Sequence, residues 1–589
     1  MSLRMGKPGP RGSRPRRRIG LGEAGLSLAA AVIVVGLVVM PLIFLLVQAF
    51  LPNVFNVPPS LAFSLSGLKS LITDPYTLRS GLNSLLLAAS TAVFASLLGT
   101  VVAYLLALTD IPVKGFLWAL VWLILIAPSF LLAQGWELLL DPGGLTHALL
   151  GGILTRTLLS PVGVMLVLSL KLFPFSTIAV ASALEGVGQD VVHAARLSGA
   201  SSLKVWTRVL LPLIFPAVLA GGLIVFAEVL SDFGIAATLA QTASFPLATF
   251  AIYAALETFP VNFSEAAAAS LLLVASVFVA QMFQRYVSGR RSYATRWGGN
   301  KTLVPVTLGR RRWVALSAAM ALIVVGFGIP AGTTVIASFL PSGAGGVITT
   351  DAHLTFANYR AAWQVPYGTG SFVRSLAYGL AAASLGILAT LVISLAWRRR
   401  STWLTTVLQI FLMTAIAVPG IVLGAGYIFM WNAPLLRQLH VYGTPVMLGL
   451  AYVAGGLPYA VRVVTGSIAQ VPEGAVDAAR MSGAGLLQQM RYIIVPMLRD
   501  TWLRVWLMLF TGVIFELPVS QLLYPPGEPT LAVSIVHQFH ATEFGVGAAL
   551  TVMSTAAVGA VALGISTLIN PRAQPVGSVP ATGILARGR

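Results

Sequence analysis

Apolar runs of about twenty residues or more, each long enough to cross a bilayer as a helix, recur twelve times along this 589-residue chain. They read as spans at 26–50, 80–108, 115–140, 160–182, 213–236, 266–285, 313–340, 372–397, 403–431, 443–466, 502–523 and 544–569. Six precede the middle of the chain and six follow it. The pattern predicts an all-α polytopic membrane protein with about twelve transmembrane helices in two six-helix repeats. Composition agrees, since 57% of residues are hydrophobic, only 9% are charged and the mean hydropathy is +0.87. Water-soluble domains carry nearly three times that charge. The run from Leu26 to Phe50 follows a basic N terminus, but it is too long for a secretory signal and no small-residue cleavage site follows it. It reads as a retained first span.

The net charge of +19 would suit nucleic acid, so the placement of the basic residues has to decide. They lie in short segments between apolar runs, such as Arg14-Pro-Arg-Arg-Arg18, Arg310 to Arg312 and Arg398 to Arg400. This is the positive-inside pattern that orients helices in a membrane, and it argues against a nucleic-acid partner. With Arg14 to Arg18 in the cytoplasm, Lys204, Arg208, Arg285, Arg290, Arg291, Arg296, Lys301 and Arg491 fall on the same side. The opposite loops hold single charges such as Lys69, Arg156, Arg360 and Arg437. Both termini are therefore expected in the cytoplasm. The chain has no cysteine, which excludes disulfides, thiol catalysis and thiolate metal sites.

A polar segment inside this oily chain occurs twice, at 185–216 and 469–499. Arg196, Ser198, Gly199, Ala200 and Pro212 of the first copy match Arg480, Ser482, Gly483, Ala484 and Pro496 of the second, always 284 residues apart. The repeat reaches beyond the segment. Pro174 matches Pro458 and Asp232 matches Glu516 at the same offset, and Pro128 matches Pro419 at 291. The expected organisation is a basic tail (1–25), a first half (26–285), a basic linker containing Gly298-Gly299 (286–312), a second half (313–570) and a C-terminal cytoplasmic tail (571–589). An even number of spans per half makes the repeats parallel, with a pseudo-two-fold axis along the membrane normal and a pathway between the halves.

In the first copy, Val191, Val192, Ala194, Ala195 and Leu197 sit among Gln189, Asp190, His193 and Arg196, the pattern of a short amphipathic helix. Gly199 lets the chain turn, a second helical stretch follows, and Pro212 begins the return to the membrane. Such an element either rests on lipid or docks into a groove of another protein, and two copies at pseudo-symmetric places favour a two-fold partner. The segment resembles the EAA loop of ABC importer permeases, whose pattern is Glu-Ala-Ala, three residues, Gly, then about nine residues to an apolar residue, Leu and Pro. Here the copies read His193-Ala194-Ala195, Gly199, Leu211-Pro212 and Asp477-Ala478-Ala479, Gly483, Val495-Pro496. The family glutamate is thus aspartate in one copy and histidine in the other. The resemblance covers nearly the whole chain and is to the fused permeases, in which one polypeptide supplies both halves.

The resemblance implies that His193, Ala194, Ala195, Arg196, Gly199 and Pro212, with Asp477, Ala478, Ala479, Arg480, Gly483 and Pro496, couple the chain to a separate ABC ATPase subunit, in two copies. The chain has no G-x-x-x-x-G-K-[ST] loop to cradle nucleotide phosphates, so it is expected to bind no cofactor, with ATP used by the partner. No serine, histidine and carboxylate constellation suggests an enzyme. An external or periplasmic binding protein is the other implied partner, and the bacterial cytoplasmic (inner) membrane, with its lipid, the implied location.

Acids within spans are costly and therefore informative. Asp232 and Glu516, at matching positions, would place two carboxylates around one route suited to a cationic or metal-bearing substrate, or would be hydrated at helix ends. Glu228 lies one turn before Asp232 and shares its face. Pro128, Pro174, Pro419 and Pro458 are each expected to free a carbonyl inside a helix, and Pro128 and Pro419 are pathway candidates. His537 and His540 have metal-ligand spacing without a third ligand and read as polar interface residues. Glu137 and Asp141 read as solvated. The segment Glu516-Leu-Pro518 is similar to the ELP segment of ferric-iron-type permeases, whose architecture is shared by thiamine, polyamine and phosphonate relatives. The alternative from another class is an ion-coupled secondary transporter using Glu228, Asp232 and Glu516, which would have no need of paired docking helices.

Overall fold

The structure, a computed structural model, describes residues 21–55, 60–140, 152–187, 189–290, 306–341, 353–364, 368–399 and 403–569. The first half comprises α1 (Gly25–Phe50), α2 (Pro75–Leu108), α3 (Lys114–Ile126), α4 (Ser129–Leu140), α5 (Pro161–Glu185), α6 (Gln189–Leu197), α7 (Leu211–Ser231), α8 (Gly234–Ala237), α9 (Ala248–Glu257) and α10 (Phe263–Arg290). The second comprises α11 (Arg311–Ser338), α12 (Gly368–Arg399), α13 (Trp403–Ala415), α14 (Gly420–Asn432), α15 (Pro445–Ile468), α16 (Glu473–Met481), α17 (Arg499–Ile514), α18 (Pro518–Leu523), α19 (Leu531–His540) and α20 (Phe544–Ile569).

All twelve predicted runs are helical, but four are broken. Among the described residues nine helices are long and apolar enough to cross a membrane, or ten if α3 and α4 form one span bent by 94°. The expectation that Pro128 and Pro419 lie inside helices is corrected here. Helix α3 ends at Ile126 and α4 begins at Ser129, and α13 ends at Ala415 while α14 begins at Gly420. The residue before a proline is pushed out of the helical region, and Ala127 is extended with ψ 130°. Pro174 and Pro458 do lie inside α5 and α15. The runs 213–236 and 502–523 break after Ser231 and Ile514, beside Asp232 and Glu516.

Helices α9 and α19 are a further symmetric pair, at ten residues each too short to read as spans. A serine of α2 or α12 caps each, since Ser84 Oγ accepts from Ala248 N and Ser375 Oγ from Leu531 N, both at 2.8 Å.

In each half one trio forms the centre, α2, α5 and α7 in the first and α12, α15 and α17 in the second. The opening helix of each half reaches across to the other. Helix α1 packs on α12 and α14, while α11 packs on α4. Both crossings use a glycine as the seat. A Cβ on Gly135 would lie 2.3 Å from the Pro330 carbonyl oxygen, and one on Gly426 would lie 2.8 Å from that of Pro41. Small residues let helix backbones approach this closely in a membrane. Each crossing helix also contains one π-helical turn, Val35–Val39 and Val324–Gly328, and Tyr427 Oη donates to the Leu37 carbonyl in the first of them at 3.0 Å. The end of the linker is tied down: Val306 pairs with Thr109 at the end of α2, and Leu308 N donates to Asp110 Oδ1 at 2.8 Å. The linker residues 291–305, both tails' residues 1–20 and 570–589, and Asp141 lie outside the described residues.

Candidate functional site

The two repeated segments fold alike. Helices α6 and α16 each stop at a glycine with positive φ, +78° at Gly199 and +79° at Gly483. Around each the same closing bonds form: Gly199 N donates to Arg196 O and Ala200 N to Ala195 O, as Gly483 N does to Arg480 O and Ala484 N to Ala479 O. This is the glycine stop in which a left-handed residue satisfies the last carbonyls of a helix. Ser198 and Ser482 add hydroxyl bonds to Ala194 O and Ala478 O, at 2.9 and 3.0 Å. The residue before each serine, Leu197 or Met481, is apolar and 90% exposed. Two apolar side chains are thus held out at symmetric places.

After the glycine a short helix, Ser202–Val205 or Leu486–Gln489, passes into a π-helical turn, Trp206–Leu210 or Met490–Ile494. Pro212 and Pro496 follow directly, and because helical dihedrals run unbroken from the π turn into the next helix, each withholds an N–H at that junction. In the first half Val205 and Leu210 belong to a small apolar cluster with Ala103, Leu184 and Ile214, and the Trp206 ring meets Tyr104 edge-on at 4.7 Å. A push on the segment is therefore felt directly by α2, α5 and α7.

The copies differ where the sequence differs. Asp477 Oδ1 pairs with Arg480 Nη1 at 3.1 Å. In the first copy His193 replaces the aspartate and Arg196 is exposed.

The second candidate region is the membrane interior at the broken spans. Pro128 has no N–H for the Ile124 carbonyl four residues earlier. Lys171 of α5, only 6% exposed, supplies the missing donor: its Nζ donates to Ile124 O at 2.6 Å and to Leu125 O at 2.9 Å. Lys171 is absent from the candidates above, although it is the only charged residue between 160 and 182, a signal visible in the sequence. Its counterpart in the second half is Gly455. There Tyr459 Oη reaches Ile416 O, at 3.4 Å, beside the Pro419 break.

Asp232 and Glu516 prove to be helix caps. Asp232 Oδ1 accepts from Ile235 N at 2.7 Å, opening α8, and its carboxylate also bonds Ser129 next to Pro128. The Glu516 carboxylate accepts from Val519 N and Ser520 N, both at 2.9 Å, opening α18. A Cβ on Gly420, next to Pro419, would lie 3.3 Å from Glu516 Oε1. Each half thus brings its proline break and its acid together. Glu228, half-buried on α7, makes no hydrogen bond or ion pair with a described residue, and it lies within electrostatic reach of Lys171, Asp232 and, across the seam, Tyr459. Towards the end of the seam remote from the repeated segments, Gln521 Nε2 donates to Tyr253 Oη at 3.2 Å from one half to the other.

Glu137 is not simply solvated, because it is half-buried and Thr242 Oγ1 donates to it at 2.5 Å. His537 and His540 share the last turn of α19, with the His537 ring edge-on to Tyr524 at 6.1 Å. Among the described residues no three His, Cys, Asp or Glu side chains gather as metal ligands.

With two parallel halves, paired segments and a seam between them in place, residues 95–293 and 386–575 each match the family described as the inner membrane component of binding-protein-dependent transport systems. The chain belongs to that family, with both halves in one polypeptide, and is a permease of the ABC importer type. It is 24% identical over 468 residues to a probable ABC transporter permease protein, y4fN, of Sinorhizobium fredii, covering 77% of this chain and 80% of that one. It is 24% identical over 358 residues to the ferric transport system permease protein FbpB of Actinobacillus pleuropneumoniae, covering 58% and 49%. To a putative ferric transport system permease protein, FbpB 1, of Haemophilus influenzae it is 25% identical over 456 residues, covering 74% and 68%.

Proposed function

We propose that this permease is driven by a separate ABC ATPase dimer whose two subunits seat on α6 and α16, and that it receives its cargo from an external binding protein on the opposite face. Both termini and both repeated segments lie in the cytoplasm, as the placement of arginine and lysine supports. The cargo is a cation, with ferric iron the leading candidate. The interior acids Glu228, Asp232 and Glu516 and the names of the ferric-transport relatives support that choice. Closing of the ATPase dimer pulls the segments together, and through the cluster around Val205 and Leu210 it rocks the two trios about the seam, opening the pathway to one side and then the other.

The observation that carries the proposal is the pair of exposed apolar tips, Leu197 and Met481, each set beside a glycine stop of the same geometry. Proteoliposomes holding the chain, its ATPase and its binding protein should accumulate radioactive Fe³⁺ on addition of ATP. Leu197→Asp together with Met481→Asp should abolish uptake and ATPase co-purification while the chain still inserts. Uptake that persists without the ATPase, driven by an ion gradient, would overturn the proposal.

A further inference from the structure

We infer that Glu228 is a recognition site for a cationic group, carried by the first half alone, with Lys171 as its positioning residue. The inference rests on the permease reading above and adds to it a one-sided site.

Of the three interior carboxylates, two are already engaged. Asp232 and Glu516 each accept backbone N–H bonds at the start of a short helix. Glu228 has no such partner among the described residues. A carboxylate inside a membrane protein without a hydrogen-bond partner is costly to keep, and such groups mark substrate and ion routes. Its position fits a route. Gly221, seven residues earlier on α7, is seated against Ser176 of α5, so that the antiparallel packing brings Glu228 level with Lys171. From the second half Tyr459, 44% exposed, lies within electrostatic reach of Glu228.

Symmetry separates this role from a structural one. The positions equivalent to Lys171 and Glu228 in the second half are Gly455 and Gly512, so both members of the charged pair are absent together. A lysine needed only to hold the bend would be required in both halves. The second break is held without one, with Tyr459 Oη near Ile416 O. Lys171 does two things at once. It fixes α3 and α4 by bonding Ile124 O and Leu125 O, and its charge allows an ionised carboxylate to stand beside it in a medium of low dielectric constant. Counted at their formal charges, Lys171, Glu228 and Asp232 sum to one negative charge on the first-half side of the seam. That arrangement attracts a metal cation or an ammonium-type group and repels an oxyanion.

The absence of cysteine makes a direct test available, because Tyr459→Cys places the sole thiol of the chain opposite Glu228. The full-length chain in lipid nanodiscs is treated with a cationic trimethylammonium methanethiosulfonate and with its anionic sulfonate analogue, and each rate is divided by that of a free thiol. The normalised cation-to-anion ratio is expected to be at least tenfold higher with Glu228 than with Glu228→Gln. Lys171→Met should lower it to the Glu228→Gln value, while Lys171→Arg should keep it. If Glu228→Gln fails to insert, Glu228→Asp and Glu228→Asn make the same comparison. A ratio indifferent to residue 228, or a cysteine that neither reagent reaches, overturns the site. A ratio indifferent to Lys171→Met overturns the positioning role. The measurement needs neither ATPase nor cargo, so it fails or succeeds separately from ATP-driven uptake.

Discussion

Lys171 and Pro128 are two parts of one joint. The proline withholds an N–H from the Ile124 carbonyl, and the lysine ammonium, from a different helix, donates to that oxygen at 2.6 Å. A buried carbonyl left without a donor costs about 1–3 kcal/mol, so Lys171→Met should destabilise the chain by about that amount. In the background of Pro128→Ala, where an N–H is restored, the same change should cost measurably less. Thermal unfolding of the four proteins of this double-mutant cycle in nanodiscs checks it, and simple additivity would show that the residues are not coupled.

The glycine stops give a second prediction. Nothing lies within 4 Å of a Cβ built on Gly199 or Gly483, so the constraint there is the positive φ and not space. Any L-residue pays about 1–2 kcal/mol in that region. Alanine and leucine, neither of them branched at Cβ, should therefore behave alike at either position. Both should leave ATPase activity of the assembled transporter in place and lower the amount of cargo moved per ATP. A graded effect that followed side-chain size would point to packing against the partner instead.

At the helix crossings the constraint is space. Gly135→Val and Gly426→Val should lower thermal stability by about 1–3 kcal/mol or more, the usual cost of overpacking, with Gly135 the more sensitive because its neighbour is closer, 2.3 against 2.8 Å. Gly449→Val is the control, since Gly449 has open space around it, and its effect should stay within about 0.5 kcal/mol. Equal melting temperatures for all three would mean that the crossings do not seat as described.

Much of this architecture was legible in the sequence. The length of an apolar run depends on the thickness of hydrocarbon, so the apolar runs and the two-repeat pattern could be read directly, whereas only nine helices, or ten with the bent pair, are long and apolar enough to span among the described residues. The stop of α6 at Gly199 and of α16 at Gly483 was legible too, because it depends on one residue type at one place. What escaped reading depends on partners distant along the chain. Pro128 and Pro419 announce a missing N–H, but whether the helix kinks or ends depends on who bonds the freed carbonyl, and Lys171 lies 47 residues from Ile124. Helices α9 and α19 escaped because their starts are fixed by serines more than 150 residues earlier. The roles of Asp232 and Glu516 as caps follow from breaks that hydropathy does not reveal.

The crossing of α1 into the second half bears on how the protein is made. Leu37, whose carbonyl receives the Tyr427 hydroxyl, is separated from it by 390 residues. At a synthesis rate of about 5–20 residues per second, the first span waits about 20–80 s in the membrane before the surface that covers it has emerged from the ribosome. During that interval the seat around Pro41 faces lipid or an insertion chaperone. Carrying both halves on one chain ensures that the awaited partner always arrives, in equal number and from the same ribosome.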